Sequence, residues 1–128
     1  MKKFLILFLV LSTSFIYAQS EFKITTKKCI PKIGYYLRLQ SVLDDSRCPE
    51  GVTCIWAGEV SATVEIYKDK KFVEEKTVTF NSKNKEENFK WFATYFPKKI
   101  QSIGVAPYPK EGQLVNPKKQ YIHIVFMD

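Results

Sequence analysis

The stretch GEVSATVEIYK, residues 58–68, decides the fold of this chain. Its small and branched apolar side chains recur at every second position, at Val60, Ala62, Val64 and Ile66. A period of two puts alternate side chains on opposite faces of an extended chain, so the pattern predicts a half-buried antiparallel strand. A polar turn, KDKK, and the alternating run FVEEKTVTF follow it. Together the two runs predict a β-hairpin.

The same period continues on both sides of the hairpin. On the N-terminal side, GYYLRLQSVL places one set of residues on a common face: Leu37, Leu39, Ser41 and Leu43. Three further runs are extended by the same criteria: FKITTKK, KKIQSIGVAPYP and QYIHIVFMD. The aromatic run FKWFATYF fits either a strand or one turn of helix, and its alternation favours a strand.

About seven strands in 110 residues predict an all-β fold, a small antiparallel β-sandwich of the immunoglobulin-like kind. No stretch combines the length and the 3.6-residue period of a helix. The chain shows no internal repeat and no low-complexity linker. It is long enough for one hydrophobic core and too short for two, so we expect a single domain over residues 19–128.

The first 18 residues have the composition of a secretory signal peptide. Lys2 and Lys3 precede an apolar run, Ala18 is a small residue suited to the position before a cleavage site, and Glu21 is the first acidic residue. Such a segment directs export and is removed. The sequence therefore predicts a secreted or periplasmic protein, cleaved near Ala18, with no membrane span after cleavage.

The charge pattern indicates solvated turns rather than a dedicated anion site. The full chain has a formal net charge of +7, and its lysines fall in pairs at predicted turns, Lys70-Lys71, Lys98-Lys99 and Lys118-Lys119. Lysines in such positions keep strand edges from aggregating. There is no Gly-rich phosphate loop and no nucleic-acid motif in the sequence, so we expect no nucleic-acid partner.

Three cysteines raise the question of a disulfide, a metal site or a redox pair. Cys48 and Cys54 enclose PEGVT, in which Pro49 and Gly51 favour a chain reversal. Closing this ring stabilises by ~2.4 kcal/mol, and a longer ring from Cys29 to Cys48 by ~3.3 kcal/mol, in the chain-entropy treatment. The entropy does not select the pairing. Local geometry and an oxidising compartment favour the disulfide between Cys48 and Cys54.

Metal, redox and catalytic alternatives use the few remaining reactive groups. Cys29, Cys48, Cys54 and the lone His123 form a possible ligand set, but their spacing matches no metal motif. Redox pairs are usually Cys-x-x-Cys at a helix start. Any nucleophile–base pair must use His123, and adjacent acids on a strand point to opposite faces. We therefore predict no metal, no cofactor, no catalytic residue and no enzyme.

The stretch DSRCPEGVTCIWAGEV resembles a motif of an uncharacterised family of small secreted or lipid-anchored bacterial proteins. IGVAPYP followed by QYIHIVF also resembles the C-terminal half of that family. The resemblance covers roughly residues 34–128, and neither Cys29 nor the aromatic density of FKWFATYF belongs to its pattern. It implies an exported domain like a β-sandwich, and it implies no activity.

The residues around the two cysteines also have a structural interpretation of their own. Asp45 and Ser46 are suited to hydrogen bonds with turn amides. Arg47 has three candidate acidic partners, Asp45, Glu50 and Glu59. We expect Trp56 to cover the disulfide, as aromatic residues do in immunoglobulin-type domains, and Gly58 to let the chain bend before Val60.

The same loop has an alternative interpretation as a rigid binding loop. Its candidate contact residues are Arg47, Glu50, Thr53 and Trp56. We expect a monomer with a binding or structural role in the cell envelope or outside the cell, in contact with a protein or a glycan. One alternative is a protease-inhibitor-like module, which requires an exposed loop from Arg47 to Thr53 and a Trp56 that is only partly buried. Another is a thiol or metal protein using Cys29 and His123, which requires an unbridged Cys48 and Cys54.

Overall fold

The computed structural model describes residues 19–127, and the predicted signal peptide lies outside them. The described residues form six strands, one α-helix and one 3₁₀ turn. In chain order these are β1 (Glu21–Ile24), β2 (Tyr35–Leu43), β3 (Val60–Lys68), β4 (Lys71–Phe80), α1 (Lys85–Ala93), β5 (Ile100–Ala106), the 3₁₀ turn (Pro117–Lys119) and β6 (Tyr121–Phe126). The prediction of a mostly β chain is confirmed, with six strands in this part of the chain where about seven were expected.

The strands form two three-stranded antiparallel sheets around a common core. One sheet has the order β1-β6-β5 and the other the order β2-β3-β4. Both sheets contribute buried side chains to the same cluster, such as Ile122 and Ile124 from β6 and Val64 and Ile66 from β3. β3 and β6 are the central strands. The hairpin predicted from residues 58–80 is β3 paired with β4, and it is confirmed.

β3, which lies within residues 58–68, is the middle strand of its sheet, and the face predicted to be buried is buried. Val60, Ala62, Val64 and Ile66 all have an accessible fraction of 1% or less. The opposite face carries a hydroxyl ladder between β3 and β4. Its members are the pairs Ser61–Thr79, at 2.9 Å, and Thr63–Thr77, at 3.1 Å. Cross-strand hydroxyl pairs of this kind stabilise a sheet modestly and keep its polar face satisfied.

One face assignment on β2 is wrong, because the strand contains a bulge. The register with β3 shifts between Leu39 and Ser41. A bulge inserts one unpaired residue and thereby exchanges the faces of everything beyond it. Val42 consequently packs against the core, whereas Leu43 is 44% exposed. The predicted alternation holds for Leu37 and Leu39 and fails after the bulge.

The strand predicted for FKWFATYF is also wrong, because residues 89–93 of this segment form the end of α1 and the rest is a turn. Asn88 and Phe92, four residues apart, are the buried residues of the helix, as expected for one helical face. The amide of Asn84 donates to Asn81 Oδ1, at 2.8 Å, just before the helix begins. α1 connects the edge strand of one sheet to the edge strand of the other. It covers the core where a seventh strand was expected.

The end of α1 and the turn after it shield charged residues of β4. The Trp91 ring lies under the Lys76 ammonium, 5.0 Å from it, and the Tyr95 hydroxyl donates to Glu74 Oε1, at 2.5 Å. Burial and the neighbouring Glu74 carboxylate raise the pKa of Tyr95 to about 12. Two charged side chains of the edge strand thus acquire partners, one from the helix and one from the turn that follows it. None of the helices in residues 19–127 is both long enough and apolar enough to cross a bilayer.

Candidate functional site

Two loops at one end of the sheets pack together and form the candidate site. The cysteine loop, residues 44–59, connects β2 to β3, and the companion loop, residues 107–120, connects β5 to β6. The Glu50 amide donates to Pro109 O, at 2.9 Å, and the Glu111 amide donates to Glu50 O, at 3.2 Å. The Tyr108 hydroxyl donates to Cys48 O, at 2.7 Å. Three hydrogen bonds therefore join the two loops.

The cysteine loop is closed by backbone hydrogen bonds as well as by its disulfide. The amide of Ser46 donates to Glu59 O, at 2.8 Å, and the amide of Cys48 donates to Ala57 O, at 3.1 Å. The Ser46 hydroxyl adds a bond in each direction to the Glu59 backbone. Cys48 and Cys54 are bridged, with their Cα atoms 5.9 Å apart. The predicted disulfide and the turn role of Ser46 are confirmed.

Gly58 is required by the close approach of the two arms of this loop. Its φ is +75°, in the region that favours glycine, and an added Cβ would lie 2.0 Å from Ser46 O. That distance is far inside van der Waals contact with backbone that cannot rotate away. Glycine is therefore needed at position 58 for two reasons: the predicted bend, and the close approach of the hydrogen-bonded arm that carries Ser46.

Arg47 is an internal anchor and not an exposed contact residue. Its side chain is 11% exposed, and its guanidinium binds both carboxylate oxygens of Asp45, Nε at 2.9 Å and Nη2 at 2.8 Å. Hydrogen bonding from Arg47 lowers the pKa of Asp45 by more than burial raises it. Of the three acidic partners considered for Arg47, the structure selects Asp45. The binding-loop interpretation was wrong to expect an exposed Arg47.

The Arg47 guanidinium also joins the cysteine loop to the companion loop. It donates to Val105 O and to Pro107 O, the latter at 3.4 Å, and lies 5.2 Å from the Tyr108 ring centroid. A guanidinium is suited to this position because it combines planar stacking with several donors in fixed directions. One side chain therefore fixes the relative position of both loops.

Apolar side chains line the outside of this end of the molecule. Trp56 is 63% exposed, and Ile55 and Leu114 are fully exposed. Val52, inside the disulfide ring, is 41% exposed. We call these four residues the apolar rim. A cluster of large exposed apolar residues in a small protein is typical of an interaction surface.

The other predicted contact residues, Glu50, Thr53 and Trp56, are all exposed. Trp56 differs from its predicted structural role. Glu50 and Thr53 are exposed on the disulfide ring, as the binding-loop interpretation requires. Trp56 was expected to cover the disulfide, but it keeps most of its surface accessible, and Cys54 is exposed as well. Sequence reasoning missed Ile55 and Leu114. The available signal was a large apolar residue within an otherwise polar turn segment.

The cysteine loop and the companion loop each line a groove. One, of about 360 Å³, lies between the Trp56–Glu59 arm and the loop at Asn81–Lys83. The other, of about 300 Å³, lies in the companion loop beside Tyr108, Leu114 and Lys119. Each groove combines a large apolar side chain with a lysine. Two residues of the apolar rim line these grooves, Trp56 the first and Leu114 the second.

The three cysteines and His123, which the thiol or metal alternative requires, do not form one site in the described residues. Cys48 and Cys54 are bridged, and Cys29 is an exposed thiol before β2. His123 lies on β6 in the other sheet, where its Nε2 is 3.1 Å from Glu21 Oε2 on the paired strand β1. Across residues 19–127 no group of three or more His, Cys, Asp or Glu side chains is arranged to hold a metal ion.

No protein-family model, curated protein or solved structure matches this chain. The function must therefore be argued from the geometry of the site.

Proposed function

We propose that this protein is an exported binding module that contacts another protein through the apolar rim. The observation that carries the proposal is the exposure of Trp56 and Ile55 on a loop that is fixed from beneath. A buried tryptophan is among the residues that supply most of the affinity in many protein interfaces. The proposal includes no catalysis, no cofactor and no nucleic-acid partner, and it places the protein outside the cytoplasm as a monomer.

The support beneath the rim is the second argument. The disulfide, the Ser46–Glu59 backbone bonds and the Arg47 anchor all restrain the cysteine loop. Restraint of this kind removes much of the ordering cost that a flexible loop incurs on binding. A structural disulfide is also typical of exported proteins, which agrees with the signal peptide expected at residues 1–18.

The two-sheet architecture agrees with an immunoglobulin-like β-sandwich, and we include that class in the proposal. Loops at one end of such domains commonly form binding surfaces on a fixed scaffold. The resemblance of residues 45–60 to exported bacterial proteins points to the same role. The inhibitor alternative fits less well. Its loop would need an exposed arginine, whereas Arg47 is turned inward.

The test is site-specific photo-crosslinking in exporting cells. A photoreactive phenylalanine analogue is placed at Ile55, at Leu114, or at Phe72 as the control. Phe72 is also an exposed apolar residue, 56% accessible, but it lies by the β3–β4 turn at the opposite end of the sheet. We expect a discrete adduct from Ile55 and Leu114 and none from Phe72.

The adduct must also depend on the rim. The substitution Trp56→Ser should reduce the yield from Leu114 at least several-fold while leaving the protein folded, because Trp56 is largely exposed. Equal adducts from all three positions, or adducts insensitive to Trp56→Ser, would contradict the proposal. So would an uncleaved chain that is retained in the cytoplasm.

A further inference from the structure

A separate cavity of about 330 Å³ lies between the end of β4, the first half of α1 and the middle of β5. Its apolar walls are Phe80, Phe89 and Ile103, and its polar lining includes Lys85, Asn88 and Ser102. This volume is at the lower end of the range for small-molecule sites, roughly 300–1,000 Å³. The cavity does not include any residue of the apolar rim.

Asn88 supplies this cavity with an unused hydrogen-bond acceptor. The residue is 9% exposed, and its Nδ2 donates to Thr79 O, at 2.8 Å. A carbonyl oxygen requires a donor, so the orientation of the amide is fixed with Oδ1 on the other side. That Oδ1 accepts no hydrogen bond from any described residue. The described residues contain no buried side-chain oxygen or nitrogen without a partner, so Oδ1 is open to the cavity, where a ligand that carries a donor can bond it.

Lys85 supplies a positive charge at the same place. It lies three residues before Asn88 on the helix, so the two side chains share one face. Its ammonium is 5.7 Å from the Phe89 ring centroid and, within the described part of the chain, makes no ion pair. The neighbouring Glu86 and Glu87 are not part of the cavity lining. An unpaired ammonium beside an apolar wall is suited to a carboxylate.

We propose that this cavity binds a small aromatic carboxylic acid that also carries a hydroxyl or N–H group. The ring packs against Phe80, Phe89 and Ile103, the donor bonds Asn88 Oδ1, and the carboxylate pairs with Lys85. The inference is independent of the proposed function, because it concerns a different face and a different class of partner.

The first experiment uses three matched probes and amide chemical shifts of the full exported chain. 4-Hydroxyphenylacetate has the donor and the carboxylate, phenylacetate lacks the donor, and 4-hydroxyphenylethanol lacks the carboxylate. We expect 4-hydroxyphenylacetate to bind with a Kd on the order of 1 mM, as its size allows. Each of the other two should bind about fivefold more weakly, through the loss of one polar contact. The shifts should be confined to α1, the end of β4 and β5.

Variants then separate the site from general surface binding. Lys85→Gln should weaken 4-hydroxyphenylacetate several-fold and leave 4-hydroxyphenylethanol unchanged. Lys90→Gln, an exposed lysine of the same helix that does not line the cavity, is the control and should change neither. Ser102→Phe should block all three probes by filling the cavity, with native shift dispersion as the check on folding.

Three results would overturn the inference. The first is equal affinity for the three probes, the second is an equal effect of Lys85→Gln and Lys90→Gln, and the third is the absence of shifts at concentrations roughly tenfold above the expected Kd. None of these results bears on the crosslinking from Ile55 and Leu114, so the two proposals fail separately.

Discussion

The hydroxyl of Tyr108 donates to the backbone carbonyl of Cys48, and the ring of the same tyrosine lies beneath the Arg47 guanidinium. Two loops that are about 60 residues apart in sequence are thereby joined at one residue. The disulfide ring is supported by the companion loop as well as by its own bridge. This relationship explains how a loop with little buried apolar surface keeps a defined shape.

Arg47→Lys should destabilise the protein more than Tyr108→Phe. Lysine keeps the charge but loses the two-pronged contact with Asp45 and the planar stacking on Tyr108, which we expect to cost about 2 kcal/mol. Tyr108→Phe keeps the ring and removes one partly exposed hydrogen bond, at about 0.5–1 kcal/mol. Urea denaturation of both variants measures the two values. An effect of Arg47→Lys no larger than that of Tyr108→Phe would mean that Arg47 is not the anchor described above.

The ion pair of Asp45 with Arg47 should make stability depend on pH in acid. The pKa of Asp45 is lowered in the folded protein, so its contribution is fully present above the unfolded-state pKa, about 3.9, and is lost as the pH falls through the folded value. Asp45→Asn should therefore cost about 1 kcal/mol at pH 7 and progressively less below about pH 4. The measurement is the free energy of unfolding of both proteins across this range. A constant difference between them would contradict the assignment.

Gly58→Ala should be more damaging than Gly112→Ala, although both glycines have a positive φ. Alanine at either position carries the left-handed strain, about 1 kcal/mol. At Gly112 the added Cβ meets nothing within 4 Å, whereas at Gly58 it lies 2.0 Å from Ser46 O. We expect Gly58→Ala to cost at least about 2 kcal/mol beyond the control and to speed amide exchange in the cysteine loop. Equal losses would show that the two arms separate freely.

The sequence was informative where one physical rule acts alone. The period of two in residues 58–68 identified a central strand, because burial on one face depends only on alternation. The disulfide followed from the short ring between Cys48 and Cys54 and its turn residues. These features depend on neighbours in the chain, and neighbours are visible in a sequence.

The sequence-based predictions are wrong where contacts between distant parts of the chain determine the local structure. The bulge in β2 depends on its register against β3, and it reverses the exposure of Val42 and Leu43. Arg47 was expected outside because its acceptors, Val105 O at the end of β5 and Pro107 O in the companion loop, lie far along the chain. The segment FKWFATYF alternates over a length at which a strand and a helix are equally compatible with the pattern. Packing decided between them, because the helix fills the gap between the two sheets.

The substitution Phe92→Leu tests whether α1 is an integral part of the core. Phe92 is 0% exposed, it stacks on Phe80 of β4 with ring centroids 6.3 Å apart, and it lies between strands of both sheets. Replacing it with a smaller side chain leaves a partly unfilled space, at a cost of about 1–2 kcal/mol, and Phe92→Ala should cost about 3–5 kcal/mol. Phe72→Ala, at an exposed aromatic residue, is the control and should cost less than about 1 kcal/mol. Thermal and urea unfolding followed by circular dichroism give all three values. If α1 were only an attachment on the surface of two self-sufficient sheets, Phe92→Leu would match the Phe72 control, and the helix signal would be lost before the strand signal. We expect a single transition, because the helix closes the core that both sheets share.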